Sequence, residues 1–187
     1  MLQIRPLTPS DLASYEAHVK RHRGESGRGD FHFWPFEPSD TSGALKGLAA
    51  DALERPLSEI GWQRCFVAFS ADSSSIVADV NLKGDALRTG LHRCELGIGI
   101  ERPYRNQGLG RRLMATAIEF AVSAQSLRWI DLKVFAHNTP ARALYRKLGF
   151  VEIAVVRDRF RIGGERIDDV LMTLDLTTLD MRNNPPL

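Results

Sequence analysis

The stretch that most constrains this chain is Arg105-Asn106-Gln107-Gly108-Leu109-Gly110, a glycine-bearing hexapeptide lodged between two segments of different periodicity. Upstream, Cys94-Glu95-Leu96-Gly97-Ile98-Gly99-Ile100 is short, apolar and alternating, as a strand is. Downstream, Leu109, Leu113, Ala117, Phe120 and Ala124 recur at helical spacing. A turn between such elements leaves backbone N–H groups unobstructed at a helix N-terminus. Those orphan donors and the positive end of the helix dipole suit phosphate oxygens. Arg105, Arg111 and Arg112 add positive charge around them. Phosphate binding and plain turn chemistry both fit these residues. A P-loop does not, because no Gly-Lys-Ser/Thr ending follows. The dinucleotide fingerprint fails too: Gly97-Ile98-Gly99 lies in the strand, and no third glycine follows in register.

A chain of 187 residues fits one domain able to bury a full core. Its 43% apolar and 26% charged residues are ordinary for a soluble globular protein. A net charge of +2 is too small to argue for nucleic acid. Cys65 and Cys94 fall in predicted strands and read as free buried thiols of a reducing cytosol. No CxxC or Cys/His cluster suggests a metal. The N-terminus lacks a signal-peptide core and no apolar run approaches a membrane span, which predicts a soluble cytoplasmic protein.

Periodicity and punctuation predict a strand over 2–6 and a helix from Ser10 or Asp11 to about Arg23. An irregular stretch follows over 24–40, then a helix over about 41–55. Strands over 62–70, 76–83 and 91–100 form an antiparallel meander. A helix over 108–125 and a strand over 129–135 come next. Asn138 or Thr139 caps a further helix, Pro140 fits its first turn, and Gly149 is a natural stop. A last hairpin pairs 151–160 with 166–174 around Ile162-Gly163-Gly164. Residues 1–175 read as a single domain and 176–187 as a C-terminal tail that frays.

This order, with Arg105-x-x-Gly108-x-Gly110 and then Asn138-x-x-Ala141-x-x-Leu144-Tyr145-x-x-Leu148-Gly149-Phe150, resembles the GNAT superfamily of acyl-CoA-dependent N-acyltransferases. The resemblance covers about residues 62–174. It implies an α+β fold in α/β/α layers, with a mostly antiparallel mixed sheet of about seven strands flanked by about four helices. It also implies acetyl-CoA as co-substrate, without a metal. The pyrophosphate would sit on Arg105, Asn106, Gln107, Gly108, Leu109, Gly110 and Arg111, and the pantetheine arm along the backbone of Ile98 and Ile100. Glycine at 108 and 110 would let the phosphates approach the amides. Gly97 and Gly99 suggest a bulge or a close backbone approach, or simply weak strand positions. Asn138 would reach the pantetheine, cap its helix, or do both.

Transfer needs an amine without its proton. A lysine-like amine has a pKa near ~10.4, so about one molecule in a few thousand is neutral at pH 7, a penalty of ~4–5 kcal/mol. Glu95, in the strand leading to the cofactor turn, is the candidate base, with Asp79 and Glu101 as rivals; an exposed strand residue is the other reading of Glu95. Tyr145 matches the family position whose hydroxyl protonates the departing thiolate, and it also shares an apolar helix face. By resemblance the acceptor groove is built from 23–40 and 160–166, where Phe31, Phe33, Trp34 and several arginines stand; the aromatics fit a pocket or a satellite core equally.

The function this implies is acetyl transfer from acetyl-CoA to a primary amine, on a small molecule or a protein N-terminus, by direct attack without a covalent enzyme intermediate. The alternatives are a non-catalytic acyl-CoA-binding or sensing module of the same fold, and an RNA-associated protein using the basic segment 20–28. Members of the family are often dimers; no interface signature stands in the sequence, so a homodimer stays open. The acceptor and the acyl-chain preference are not written in these motifs.

Overall fold

In the computed structural model, residues 2–29, 31–37 and 48–179 are described. Seven strands form one sheet: β1 (Ile4–Pro6), β2 (Gln63–Phe69), β3 (Ile76–Gly84), β4 (Arg93–Ile100), β5 (Trp129–Phe135), β6 (Val151–Ile162) and β7 (Glu165–Asp175). Their order is β1-β2-β3-β4-β5-β7-β6, and among the described residues β4 with β5 is the one parallel pair. The helices are α1 (Leu12–Glu25), α2 (Ala50–Glu54), α3 (Leu109–Ser123) and α4 (Thr139–Lys147). The α+β class, the strand count and the meander follow the sequence reading. Of the helix expected over 41–55, residues 41–47 lie outside the described residues, and α2 occupies Ala50–Glu54. Residues 180–187 of the expected tail also lie outside them. Leu176, one residue past the expected domain edge, is buried in the main core.

The two faces of the sheet differ in chemistry. One presents Phe66, Ala68, Val80, Leu82 and Leu96 to α3, which buries Leu113, Met114, Ala117, Ile118 and Ala121 against them. Alternation then places Cys65, Val67, Asp79, Asn81 and Glu95 on the opposite face. There α1 buries His18, Val19 and His22 instead of an apolar stripe, because β3 offers Asp79 beneath it. Both thiols are free and buried, and burial pushes the Cys94 thiol up to about 12, so neither is a poised nucleophile.

The residues around the turn fold for local reasons. Gly108 has φ 75° and Asn106 φ 60°, left-handed conformations that glycine and asparagine adopt most readily. Asn138 caps α4 by accepting from the Ala141 amide at 3.3 Å, and Pro140 sits in its first turn. Gly149, at φ 93°, ends that helix while the Phe150 amide returns to the Tyr145 carbonyl at 3.0 Å.

Candidate active site

β4 and β5 pair from Arg93↔Trp129 to Leu96↔Leu132 and no further. Beyond that point Gly97–Ile100 pairs only with β3, and 133–135 only with β7. The two strands part at their C-terminal ends, where ligands of parallel strand pairs bind. This leaves the inner edge of β4 with main-chain groups and no neighbouring strand, open to an extended chain adding itself by hydrogen bonds. Ile98 and Ile100 both lie on this edge, as the sequence reading requires. The carbonyl of Ile100, however, already accepts from Arg105 Nε at 2.9 Å.

At the end of the opening stands the turn. The first main-chain bond of α3 runs from the Arg112 amide to the Gly108 carbonyl at 3.2 Å, so the amides of Leu109, Gly110 and Arg111 precede the helical ladder. No side chain caps them. The two glycines serve different needs here. A Cβ on Gly108 would meet nothing within 4 Å, so its left-handed φ is what demands glycine. A Cβ on Gly110 would lie 3.2 Å from Ile100 Cδ1 and 3.4 Å from Leu144 Cδ2, so close packing of α3 on β4 and α4 demands it.

The arginines are not arranged as expected. Arg105 donates to Glu25 Oε2 at 2.9 Å and lies 4.6 Å from the centroid of the Phe33 ring. Arg112 donates to the Leu2 carbonyl at 2.8 Å. Gln107 donates to the Pro103 carbonyl at 2.8 Å and so braces the turn. Arg111 is exposed and makes no hydrogen bond or ion pair with a described residue. Of the readings of Gly97 and Gly99, the bulge is absent, since the β3–β4 register runs without a shift from Ala78↔Ile100 to Gly84↔Cys94, and the close approach is present. Glycine stands there because side chains press on the strand. A Cβ on Gly99 would lie 2.7 Å from Asp79 Oδ1 and 3.0 Å from His22 Nδ1, and one on Gly97 3.1 Å from Asn81 Nδ2.

Tyr145 is buried in the main core beside Phe150, and its hydroxyl has no hydrogen-bond partner among the described residues. Burial raises the phenol above its ordinary range, so it is protonated at neutral pH and able to act as an acid. Glu95 lies between two cations, 3.2 Å from Lys83 Nζ and 3.1 Å from Lys133 Nζ. Its partial burial opposes ionisation, but the two lysines outweigh that and hold the carboxyl below its ordinary value. Such a carboxylate is well placed and a weak base.

Asp79 and Glu101 belong to a buried network that sequence reasoning missed. His18 Nε2 lies 3.1 Å from Asp79 Oδ1, and His18 Nδ1 2.8 Å from Glu101 Oε1. Arg21 also donates to Glu101, and Trp34 Nε1 donates to His22 Nδ1 at 3.1 Å. The available signal was Asp79 in an otherwise apolar strand, together with two histidines four apart on α1. The aromatic loop is part of this assembly: Phe33 stacks on His22 and Phe31 packs edge-on against His137. His137 faces the His32 carbonyl at 2.7 Å, a structural contact.

A profile of the Acetyltransferase (GNAT) family matches residues 39–150. A solved acetyltransferase of the GNAT family from Streptococcus pneumoniae is similar over 92% of this chain and 98% of its own, with 29% identity and a TM-score of 0.77. The fold is shared with yncA from Salmonella typhimurium, solved with acetyl-CoA, at 16% identity over 94% of each chain and a TM-score of 0.74. In sequence, N-alpha-acetyltransferase RimI of Mycobacterium tuberculosis is 34% identical over 67 residues, 36% of this chain and 40% of that protein. The chain spans about half the length or less of the first curated relatives it matches. With its sheet order, its parted central strands and its uncapped α3, the chain belongs to the GNAT acetyltransferase family.

Proposed function

We propose that the protein is a cytoplasmic N-acetyltransferase that moves the acetyl group of acetyl-CoA directly to a primary amine. The observation that carries this reading is the parting of β4 from β5 beside three uncommitted amides at the start of α3. Pyrophosphate oxygens would be received by the amides of Leu109, Gly110 and Arg111 and by the Arg111 guanidinium, with Asn106 and Gly108 shaping the approach. The pantetheine arm would run along Ile98 and Ile100. Asn138, with Oδ1 spent on its cap, could still donate from Nδ2.

Attack by the amine nitrogen forms the N–C bond and breaks the C–S bond. Tyr145 would supply a proton to the departing thiolate, which resembles a thiol of pKa near ~8.5. A carboxylate on the opposite sheet face would draw the ammonium proton, and Glu95 qualifies by place. A homodimer is compatible with all of these roles. Release of free thiol from acetyl-CoA across a panel of amines, aminoglycosides and N-terminal peptides tests the reading. Calorimetric CoA binding with no turnover on any acceptor would favour a non-catalytic acyl-CoA sensor instead.

A further inference from the structure

Three buried carboxylates stand among the described residues: Asp79, Glu101 and Asp169. Asp79 and Glu101 are partnered by His18, Arg21 and Asn81. Asp169 is 3% exposed as a residue, and its carboxylate makes no hydrogen bond and no ion pair with any described residue, while its oxygens keep contact with solvent. A carboxylate packed into the sheet with only solvent to meet its oxygens calls for a reason.

Its place in the sheet supplies one. On β7, Asp169 stands opposite Phe135, the last residue of β5, beyond the point where β4 has left. Alternation puts it on the same face as Lys133 and, across the parallel pair, Glu95. An acyl group laid along Gly97–Ile100 beyond the end of the β4–β5 pairing would come to that face, which both carboxylates share. On its other side Asp169 pairs with Val156, where β6 bulges before Phe160. The nearby wall is aromatic, with Phe135 tilted against Phe160 at 5.5 Å and His137 at 5.6 Å.

We propose that Asp169 accepts the proton of the acceptor's ammonium, and that Glu95 serves it by holding Lys133 away. The charged groups facing Asp169 are Lys133 on β5, Arg159 on β6 and Glu95 on β4. Burial raises its pKa first and foremost; the two cations pull it down, and Glu95 adds to the rise. A carboxyl above its ordinary range is the better base, whereas Glu95, clasped by two lysines, is the poorer one. Lys133 Nζ is 3.1 Å from Glu95 Oε2 and has no hydrogen bond to Asp169. In the step itself, the ammonium proton passes to an Asp169 oxygen and leaves to solvent. The freed lone pair attacks the thioester carbon, the thiolate departs, and the second nitrogen proton replaces the one the thiolate takes from Tyr145.

This deepens the acetyl-transfer reading and rests on it, but part of its test does not. Titration of the wild-type protein by ¹³C NMR with labelled aspartate, assigned through Asp169→Asn, should find the Asp169 carboxyl above the ordinary range near ~3.9. A value at or below that range overturns the proposal whether or not any acceptor turns over. With an acceptor in hand, Asp169→Asn should lower kcat about a hundredfold or more and abolish the acidic limb of the kcat/KM profile. Calorimetric CoA binding should stay unchanged, which separates this loss from misfolding. Glu95→Gln should keep the acidic limb and move it to lower pH, because Lys133 is released toward Asp169. An acidic limb that survives in Asp169→Asn and vanishes in Glu95→Gln would return the base role to Glu95. Failure of the wild-type protein to bind CoA at all would sink the acetyl-transfer reading and leave the NMR result standing.

Discussion

Arg105 Nη2 lies 2.9 Å from Glu25 Oε2, so the arginine of the glycine turn is bound to the end of α1. The same carboxylate accepts from the Arg102 amide at 3.0 Å, and Arg105 Nε closes onto the Ile100 carbonyl. Glu25 therefore fastens the turn to the helix that leads into the aromatic loop. On the proposed reading Arg105 would brace the phosphate-binding turn through Glu25 and Ile100, and Arg111 would be the arginine that meets the phosphates. Glu25→Gln should weaken CoA binding by about an order of magnitude, since an unbraced turn must be ordered on binding. Its salt dependence should not change. Arg111→Ala should weaken binding and flatten the salt dependence, because screening acts on the charge that meets phosphate. Calorimetry at low and high ionic strength separates the two.

Gly108 and Gly110 should fail differently when replaced by alanine. At 108 the cost is conformational, on the order of 1 kcal/mol for a non-glycine residue held in the left-handed region. At 110 the added methyl presses on Ile100 and Leu144, beside the strand edge proposed to carry the pantetheine. Gly108→Ala should therefore lower the Tm modestly and CoA affinity with it. Gly110→Ala should cost more in affinity than in Tm. Thermal denaturation with and without CoA reads both.

The Tyr145 hydroxyl has no hydrogen-bond partner to lose among the described residues, so Tyr145→Phe should leave stability within about 0.5 kcal/mol of wild type. Turnover should fall by about 10²-fold or more if the hydroxyl protonates the thiolate. Unchanged turnover together with unchanged stability would reduce Tyr145 to a packing residue.

His18 and His22, stacked 5.9 Å apart, oppose one another in their dependence on pH. For His22, burial outweighs the nearby carboxylates and lowers the pKa to about 4, so it is neutral in the folded protein. The unfolded chain binds its proton near pH ~6.5, and stability is lost as pH falls from there toward 4, by roughly 3 kcal/mol. For His18, burial opposes the charge, but Asp79 and Glu101 win and the pKa is raised. Its contribution is whole below pH ~6.5 and is lost as pH rises through the folded value. Urea unfolding across pH should give a maximum near 6.5. His22→Gln should flatten the acid side alone and His18→Gln the alkaline side alone.

The sequence by itself determined what is local. The glycine turn, the Asn138 cap, the Gly149 stop and the strand and helix periods depend on residues within one or two turns of one another, so they and the family were legible from the residues alone. Those motifs point to the proposed seat of the donor, because uncapped amides at a helix start suit phosphate oxygens. Tertiary structure decided the rest. Where β4 leaves β5, where Arg105 points, why Gly99 has no side chain, and that Asp79, His18 and Glu101 meet were all set by contacts between residues dozens of positions apart. Asp169 shows the division most clearly. In sequence it is one of two adjacent aspartates in a final strand, and its neighbour Asp168 is spent on the Asp158 amide at 2.8 Å. Only pairing with Phe135 at the mouth of the parted strands leaves Asp169 packed in the sheet with no partner among the described residues and its oxygens toward solvent, since that setting belongs to the packed sheet and to no segment of it.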